Sequence, residues 1–345
     1  MTSAHPLPPL RFVPMLKHRA WGGDRLADLD KTMPPDTLIG ESWELSDLPD
    51  SIPEGQSIVA DGPLQGQRLH QLLEDNPDAL LGQVATTADG RFPLLIKYLD
   101  AAENLSVQVH PSPEYAAEHE EAKVKSEWWF IISAEPGACV YRGIRPEVTP
   151  AAFKQSIEQG TTLEFLEKIP VHEGMCIRLP SGICHAMGAG ILAAEVQTTS
   201  DTTFRVWDWN RNDPNRPLHI EQAMGSMRFG AAQDQGGRPI LDAGEIPPVV
   251  VGGIGSQRAC TAPEFTIDLQ AIGEGEHAIE TDDRPVILIC LEGNGTIRSA
   301  AGEARLRKGD VVLVPARGSA CRLECLEPQK VLRVDIPAQA GTLLA

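Results

Sequence analysis

Short apolar segments separated by glycine and proline run through most of the chain. Its 31 glycines and 28 prolines divide it into runs rich in valine, isoleucine, leucine and aromatic residues. Clear examples are residues 93–99, 128–132 and 286–291. Runs of this length with turn residues between them are typical of a β-sandwich or barrel rather than a helical bundle. The pattern therefore predicts a mainly β protein.

Three stretches are predicted to be helical, namely residues 68–81, 114–122 and 151–166. The third follows Thr149 and Pro150, which suit an N-cap and a first helical turn. Its apolar pattern is interrupted by Gly160, so it fits two short helices as well as one. Helices are therefore expected to be a minority.

The composition changes between residues 229 and 249, where Gly, Gln, Asp and Pro accumulate. Such a stretch between patterned segments is typical of a connection between domains. We therefore predict an N-terminal domain over residues 1–235, with a short helical segment near 150–168. A smaller β domain is predicted over residues 245–345.

Two segments share a turn pattern in which a glycine is followed by five residues and a proline. The first copy runs from Gly174 and ends at His185, and the second runs from Gly309 to the matching Ala320. We interpret the pattern as an internal repeat in which only the first copy keeps a metal-binding side chain. The C-terminal domain is accordingly predicted to be metal-free.

Polar and apolar residues alternate through residues 105–111. Ser106, Gln108 and His110 therefore project from one face of a strand, while Val107 and Val109 project from the other. A single histidine on such a strand is more often a hydrogen-bonded core residue than a ligand. The neighbouring polar side chains favour a functional site, because each needs a partner if it is buried.

Two further segments place charged side chains beside apolar strands. Lys125 and Glu127 share a face where an apolar strand begins, and taken alone they read as an exposed charged pair. Glu195 lies two residues before Gln197 on a strand that is otherwise apolar. A carboxylate at such a position indicates a function. Asp201 and Arg205 follow, and their structural alternative is a turn residue with its ion-pair partner.

Four of these positions could together bind a metal ion. Zinc binds histidine nitrogen and carboxylate oxygen, and catalytic zinc sites keep a position for water or substrate. Non-haem Fe(II) favours two histidines and one carboxylate, which the same residues offer. The choice between the two metals stays open at this point. The candidate ligands are Gln108, His110, Glu127 and His185.

The formal net charge of −18 argues against a nucleic-acid partner, and no cluster of lysine and arginine is present. A small anionic substrate needs only a few local cations. The seven cysteines include no CxxC pair, which favours reduced thiols. No signal peptide is recognisable and no apolar run approaches ~18 residues, so we expect a cytoplasmic protein that makes no membrane contact.

The segments that carry these residues resemble, in order and spacing, the signature of the type I phosphomannose isomerases. The resemblance covers roughly residues 10–230 and rests on several motifs rather than one. The matching segments are residues 21–23, 40–44, 106–111, 125–128, 180–197 and 200–209.

The resemblance implies two cupin domains, that is jelly-roll β-barrels, with a small helical insertion. It implies one zinc ion per chain on the four candidate ligands, and the interconversion of mannose 6-phosphate and fructose 6-phosphate, for which we expect an enediol intermediate. We expect a monomer or a homodimer, although no pattern in the sequence distinguishes the two. Catalytic roles are expected for Arg205, Lys125 and Glu195, with the base open between the last two. Substrate-binding roles are expected for Ser106, Lys97 and Asp201.

Two alternatives remain from other functional classes. A sugar-phosphate-binding cupin regulator without catalysis predicts the loss of ligand residues, although all four are present. An Fe(II) cupin oxygenase accounts poorly for Gln108 and for the pair of Lys125 and Arg205. Met187 stands where relatives often have tyrosine, which leaves the preference among hexose phosphates open.

Overall fold

The computed structural model describes residues 6–230, 240–242 and 253–338. Among these residues, the strands form four sheets and the helices are few and short. The prediction of a mainly β chain is therefore confirmed. The α-helices are α1 (Leu69–Asp75), α2 (Pro77–Leu81), α3 (Pro113–Glu118), α4 (Pro150–Gln159) and α5 (Ile220–Ser226). Two 3-10 helices span Arg25–Leu29 and Thr162–Phe165.

Two sheets are built mostly from the N-terminal part of the chain. In spatial order, the strands of the first sheet are β13 (Ile240–Asp242), β9 (Met175–Leu179), β6 (Glu127–Ala134), β11 (Ile191–Thr198), β4 (Leu94–Ala101), β3 (Ile39–Leu45) and β2 (Met15–Gly23). Those of the second sheet are β12 (Phe204–Trp207), β5 (Val107–Val109), β10 (His185–Met187), β7 (Cys139–Ile144) and β8 (Leu166–Pro170).

The other two sheets are built mostly from the C-terminal part. The third sheet contains β1 (Leu10–Arg11), β20 (Val311–Val314), β17 (Val286–Glu292), β22 (Gln329–Asp335), β15 (Thr266–Ile272) and β14 (Ile254–Thr261). The fourth contains β16 (Gly275–Ile279), β21 (Cys321–Cys325), β18 (Asn294–Ser299) and β19 (Gly302–Arg307). Strand β1 belongs to the third sheet because Leu10 pairs with Leu313.

The first sheet is covered on both faces. Leu99 and Trp129 of this sheet share one core with Met187 of the second sheet. The alternate positions, such as Ile96, share another core with Ile287 of the third sheet. Because successive side chains of a strand point to opposite faces, odd and even positions of β4 and β11 enter different cores. The first sheet thus separates the candidate site from the C-terminal part.

The predicted helices differ from the observed ones at their ends. The helix expected over residues 68–81 is two helices, since Pro77 has no backbone N–H and begins α2. The helix expected over residues 114–122 already ends at Glu118. For the third stretch, where one helix and two short helices were both open, the structure has α4 followed by a 3-10 helix. Gly160 ends α4 with a φ of 70°, a left-handed conformation that favours glycine.

Other predictions from the sequence can be compared with the structure. Gly174 and Gly309 have φ values of 85° and 81°, so the two copies of the repeated turn share a backbone conformation. All seven cysteines are buried, free thiols, as expected.

Of the predicted domain boundary, residues 231–239 and 243–249 lie outside the described residues. Within the described part of the chain, no helix is long and apolar enough to cross a membrane.

The N-cap of α4 provides a test of local stability. The Thr149 hydroxyl accepts a hydrogen bond of 3.2 Å from the backbone N–H of Ala152. We expect Thr149→Ala to lower the free energy of unfolding by about 1 kcal/mol, because this N–H loses its partner. The matched control is Thr161→Ala, since the Thr161 side chain makes no capping hydrogen bond. Equal losses of thermal stability in both variants would contradict the capping role.

Candidate active site

Three strands and one turn bring the predicted metal-binding residues together. Strands β5 and β10 are neighbours in the second sheet, and Gln108 is directly opposite His185. Glu127 begins β6 in the first sheet. The turn before His185 needs glycine, because Gly182 has a φ of 84°. The Gly182 N–H donates to the carbonyl of His110 at 3.0 Å, which fixes the two histidine segments to each other.

His110, Glu127 and His185 form a buried cluster whose nearest ligand atoms all lie within 4.8 Å of one another. The Nε2 of His110 lies 2.9 Å from Glu127 Oε1, and the Nε2 of His185 lies 3.5 Å from Glu127 Oε2. Each Nδ1 instead faces a backbone carbonyl, that of Thr202 at 3.0 Å and that of Ile183 at 2.8 Å. A carbonyl only accepts hydrogen bonds, so each Nδ1 carries the proton and each Nε2 presents a lone pair.

The protonation states in this cluster suit a cation. Burial lowers the pKa of His110, and burial with the neighbouring His110 lowers the pKa of His185 to about 3. Both imidazoles are therefore neutral at pH 7. Burial alone would raise the pKa of Glu127, but the ammonium group of Lys125 holds it below its usual value. Three acceptors thus face one another, and His110 Nε2 and Glu127 Oε2 are buried without a hydrogen-bond partner.

A metal ion bound between these acceptor atoms would replace the missing donors. Acceptor atoms that lack donors are costly when buried, whereas a divalent cation binds neutral imidazole and carboxylate directly. Gln108 lies beside the cluster, with its Nε2 3.4 Å from His185 Nε2 and its Oε1 accepting from the Ser106 hydroxyl at 3.1 Å. A half-turn of the amide exchanges its oxygen and nitrogen. The chemistry and placement of these side chains therefore fit a metal ion.

A cavity of about 310 Å³ adjoins the cluster. Gln108 is in its wall, and so is every residue for which the sequence predicted a catalytic or substrate-binding role. The structure thus brings together residues that are up to 108 positions apart in the chain. These six residues are Lys97, Ser106, Lys125, Glu195, Asp201 and Arg205.

Lys125 and Glu127 are not the exposed pair that their local sequence suggests. Both side chains are buried, and Lys125 Nζ lies 2.6 Å from Glu127 Oε1. Burial alone would lower the pKa of Lys125, but the carboxylates of Glu127 and Glu195 raise it to about 12. Lys125 is therefore a fixed ammonium group in this structure.

Glu195 has a different environment. Its Oε1 accepts a hydrogen bond from the Trp129 indole N–H at 2.8 Å, and its Oε2 lies 3.5 Å from Lys97 Nζ. Burial, followed by repulsion from Glu127, raises the pKa of Glu195 to about 7. Glu195 can therefore take up or release a proton near neutral pH.

The structure adds residues that the sequence did not single out for the site. Arg19 and Glu41 line the same cavity and form an ion pair at 2.9 Å. Burial alone would raise the pKa of Glu41, but Lys97 and Arg19 lower it to about 2. One signal was present in the sequence. Glu41 lies in β3, a strand that is buried at every position. As for Glu195, a carboxylate in a buried strand indicates a function.

The lining of the cavity also includes arginines beyond Arg19. Arg216 lines it and is held by the Asp208 carboxylate at 2.8 and 2.9 Å. Arg205 does not pair with Asp201 in this structure; its Nη1 donates to the carbonyl of Pro217 at 2.9 Å. The Nε of Arg205 is buried without a partner. Arg216 lies in a polar loop, and no pattern in the sequence distinguishes it from other surface arginines.

These features define a class of protein. A mainly β chain with a buried His–Glu–His cluster beside a cavity lined by lysine and arginine has the features of a metal-binding enzyme.

Comparison with known proteins identifies the family. Residues 10–134 match the family model for the catalytic domain of type I phosphomannose isomerase. The chain is 34% identical over 312 residues to a mannose-6-phosphate isomerase of Streptococcus mutans, which covers 89% of this chain and 92% of that protein. It is 41% identical over 221 residues to a probable mannose-6-phosphate isomerase of Bacillus subtilis, covering 63% and 67% respectively.

A solved structure agrees with the sequence matches. The mannose 6-phosphate isomerase from Bacillus subtilis matches with a TM-score of 0.81 at 29% identity, over 95% of this chain and 99% of that one. The chain therefore belongs to the type I phosphomannose isomerase family.

Proposed function

We propose that this protein interconverts mannose 6-phosphate and fructose 6-phosphate. The main support is the cavity beside the His–Glu–His cluster, which gathers the base, the ammonium group and the arginines that this reaction requires. A coupled assay that follows fructose 6-phosphate formation from mannose 6-phosphate tests the proposal. Absence of turnover in the metal-loaded protein would contradict it.

We propose zinc as the metal, one ion per chain, held by Gln108, His110, Glu127 and His185. Neutral imidazole and carboxylate are ligands that zinc binds readily, and the amide oxygen of Gln108 completes a set of four. When bound, the ion would supply Lewis-acid polarisation of substrate oxygen atoms. Fe(II) is the competing metal for two histidines and a carboxylate, so metal analysis of the purified protein decides between them.

We propose that Glu195 moves the proton between C2 and C1 of the sugar, through an enediol. A general base works best when its pKa lies near the working pH, which the value of about 7 for Glu195 satisfies. The hydrogen bond from Trp129 holds one oxygen in place and leaves the carboxylate directed into the cavity. A cation on Glu127 would remove part of the repulsion that raises this pKa, so it lies lower in the loaded enzyme.

Lys125 is better suited to a different step. The carboxylates of Glu127 and Glu195 raise its pKa to about 12, which favours the protonated form over a role as the base. A cation on Glu127 would offset part of this rise, as it would for Glu195. A buried ammonium group beside the reacting carbons stabilises negative charge on a sugar oxygen and can donate a proton to it. Ser106 and Asp201 are proposed to bind sugar hydroxyl groups. Lys97 is proposed to orient Glu195 through their ion pair.

We propose that Arg205 and Arg216 bind the phosphate group. Guanidinium binds phosphate oxygens in pairs, and the unpartnered Nε of Arg205 is a donor available for this purpose. Asp208 already orients Arg216, which reduces the ordering that substrate binding requires.

The phosphate assignment predicts a change in KM. We expect Arg205→Gln to raise the KM for mannose 6-phosphate by about tenfold or more, because a charge-assisted contact is lost. The matched control is Arg145→Gln, which removes the same charge from an exposed position outside the cavity. An unchanged KM in Arg205→Gln would place the phosphate elsewhere.

We further propose that the four sheets form two cupin barrels, with the catalytic barrel in residues 1–235 and a smaller one in residues 245–345. The two pairs of sheets each enclose a core of their own, as two barrels require. At the position that matches His185, the second repeat has Ala320, so we propose a structural role without metal for the C-terminal barrel. A cytoplasmic location and a monomeric or homodimeric state stay predictions.

A further inference from the structure

A second, larger cavity lies on the other side of the first sheet. Its volume is about 760 Å³, and it is bounded by the segment after β1, by residues 29–32 and by the turn between β19 and β20. Strand β3 separates the two cavities. Glu41 faces the active-site cavity, whereas Glu44, an odd number of positions later, lines the second one.

The wall of the second cavity is positively charged, in contrast to the chain as a whole. Five cationic side chains and three carboxylates line it, while the whole chain has a formal net charge of −18. The cations are Arg11, Lys31, Arg305, Arg307 and Lys308, and the carboxylates are Asp30, Glu44 and Asp310. The cations exceed the carboxylates by two, and an excess of one sign of charge on a concave surface attracts ions of the opposite sign.

The ion pairs within the cavity leave two of these cations available. Lys31 pairs with Glu44 at 2.8 Å. Arg11 and Arg305 share Asp310, at 2.9 and 3.3 Å, and Arg11 also pairs with Asp61.

Arg307 and Lys308 are exposed, and neither forms a side-chain ion pair within the described part of the chain. The Nε of Arg11 is buried and has no hydrogen-bond partner. Donors of this kind, grouped around one space, fit a phosphate group.

Part of the lining is apolar. It includes Phe12, Val13, Pro14 and Leu16, and Val13 is 48% exposed. Ligand sites typically combine an apolar wall with a few polar groups that fix the orientation of the ligand. An inorganic ion would leave this part of the lining uncovered, so a ligand with a phosphate and a less polar part suits the cavity better.

From these features we infer that the second cavity binds a phosphorylated small metabolite, distinct from the substrate in the active site. Arg307 and Lys308 hold the phosphate or diphosphate, and residues 12–16 contact the remainder. The inference does not depend on the proposed isomerase reaction, because none of its residues lines the active-site cavity.

Calorimetric titration with inorganic pyrophosphate, which probes the phosphate end of the cavity, tests the inference on the full-length protein. We expect the double variant Arg307→Gln/Lys308→Gln to bind pyrophosphate at this cavity at least about tenfold more weakly than the wild type. Both side chains are exposed, so the fold should be unaffected. Binding should also weaken as the salt concentration rises.

The control is Arg258→Gln/Arg298→Gln, which removes two positive charges from exposed arginines outside both cavities. It should bind pyrophosphate as the wild type does. The inference is overturned if the wild type binds no pyrophosphate, or if the two double variants bind it equally well. Isomerase activity, measured separately on each variant, should be unchanged in both, so failure of the proposed reaction would be seen independently.

Discussion

Replacing His110 with alanine is expected to lower isomerase activity by at least about a thousandfold and to remove the bound metal. The polarisation that a catalytic metal supplies is equivalent to several kcal/mol of transition-state stabilisation, and each factor of ten in rate corresponds to ~1.4 kcal/mol. His110 is buried, and its Nε2 points at the Glu127 carboxylate. The substitution therefore removes a ligand atom from the centre of the cluster. Metal content and the coupled assay are measured on the same sample.

The control for this variant is His172→Ala. His172 is exposed and lies outside the cavity, so its replacement should leave both metal content and activity unchanged. Full activity with normal metal content in His110→Ala would show that the cluster is not the metal site.

The second large effect is expected for Glu195→Gln. General acid–base catalysis contributes about 10²–10⁴-fold, and we expect kcat to fall by that amount with little change in KM. Glutamine keeps the shape of the side chain and can still accept the hydrogen bond from Trp129, so the fold and the metal site should be retained. Exchange of solvent protons into the sugar should slow in parallel.

The proposed role of Glu195 as a base also fixes the direction in which kcat changes with pH. Glu195 acts as a base only when it is deprotonated, so the kcat of the wild type should fall as the pH falls through the pKa of Glu195. The burial and repulsion that raise this pKa to about 7 are partly offset when a cation neutralises Glu127. The fall is therefore expected below about pH 7.

Lys125→Met separates the two candidate bases. It should lower the rate through loss of charge stabilisation while it keeps the acid limb of the pH profile, whereas Glu195→Gln should lose that limb. If the limb instead disappears in Lys125→Met and persists in Glu195→Gln, the assigned roles are exchanged.

The alternating pattern of residues 105–111 was enough to predict part of the site. Val107 and Val109 enter a core, while Ser106, Gln108 and His110 point the other way, as the period of a strand requires. Such a pattern is local, so it can be recognised from the residues of a single strand. The break between α1 and α2 was missed, although its signal is equally local, since Pro77 stands within the predicted helix.

The rest of the site depends on contacts between distant segments. Lys125 and Glu127 are buried because β6 is a central strand of a sheet that is covered on both faces, and the local sequence shows neither its neighbours nor its cover. Arg19 and Glu41 meet Lys97 only through the order of β2, β3 and β4. Both faces of the first sheet are covered, so apolar content alone does not tell which face meets the substrate.

The most direct test measures zinc and activity together on one preparation of the full-length protein. The coupled assay on mannose 6-phosphate is run as purified, after removal of metal with a chelator, and after zinc is added back. We predict one zinc ion per chain, loss of activity with the metal, and its return with zinc. Isomerisation that persists in metal-free protein, or zinc-loaded protein that does not isomerise mannose 6-phosphate, would contradict the proposed function.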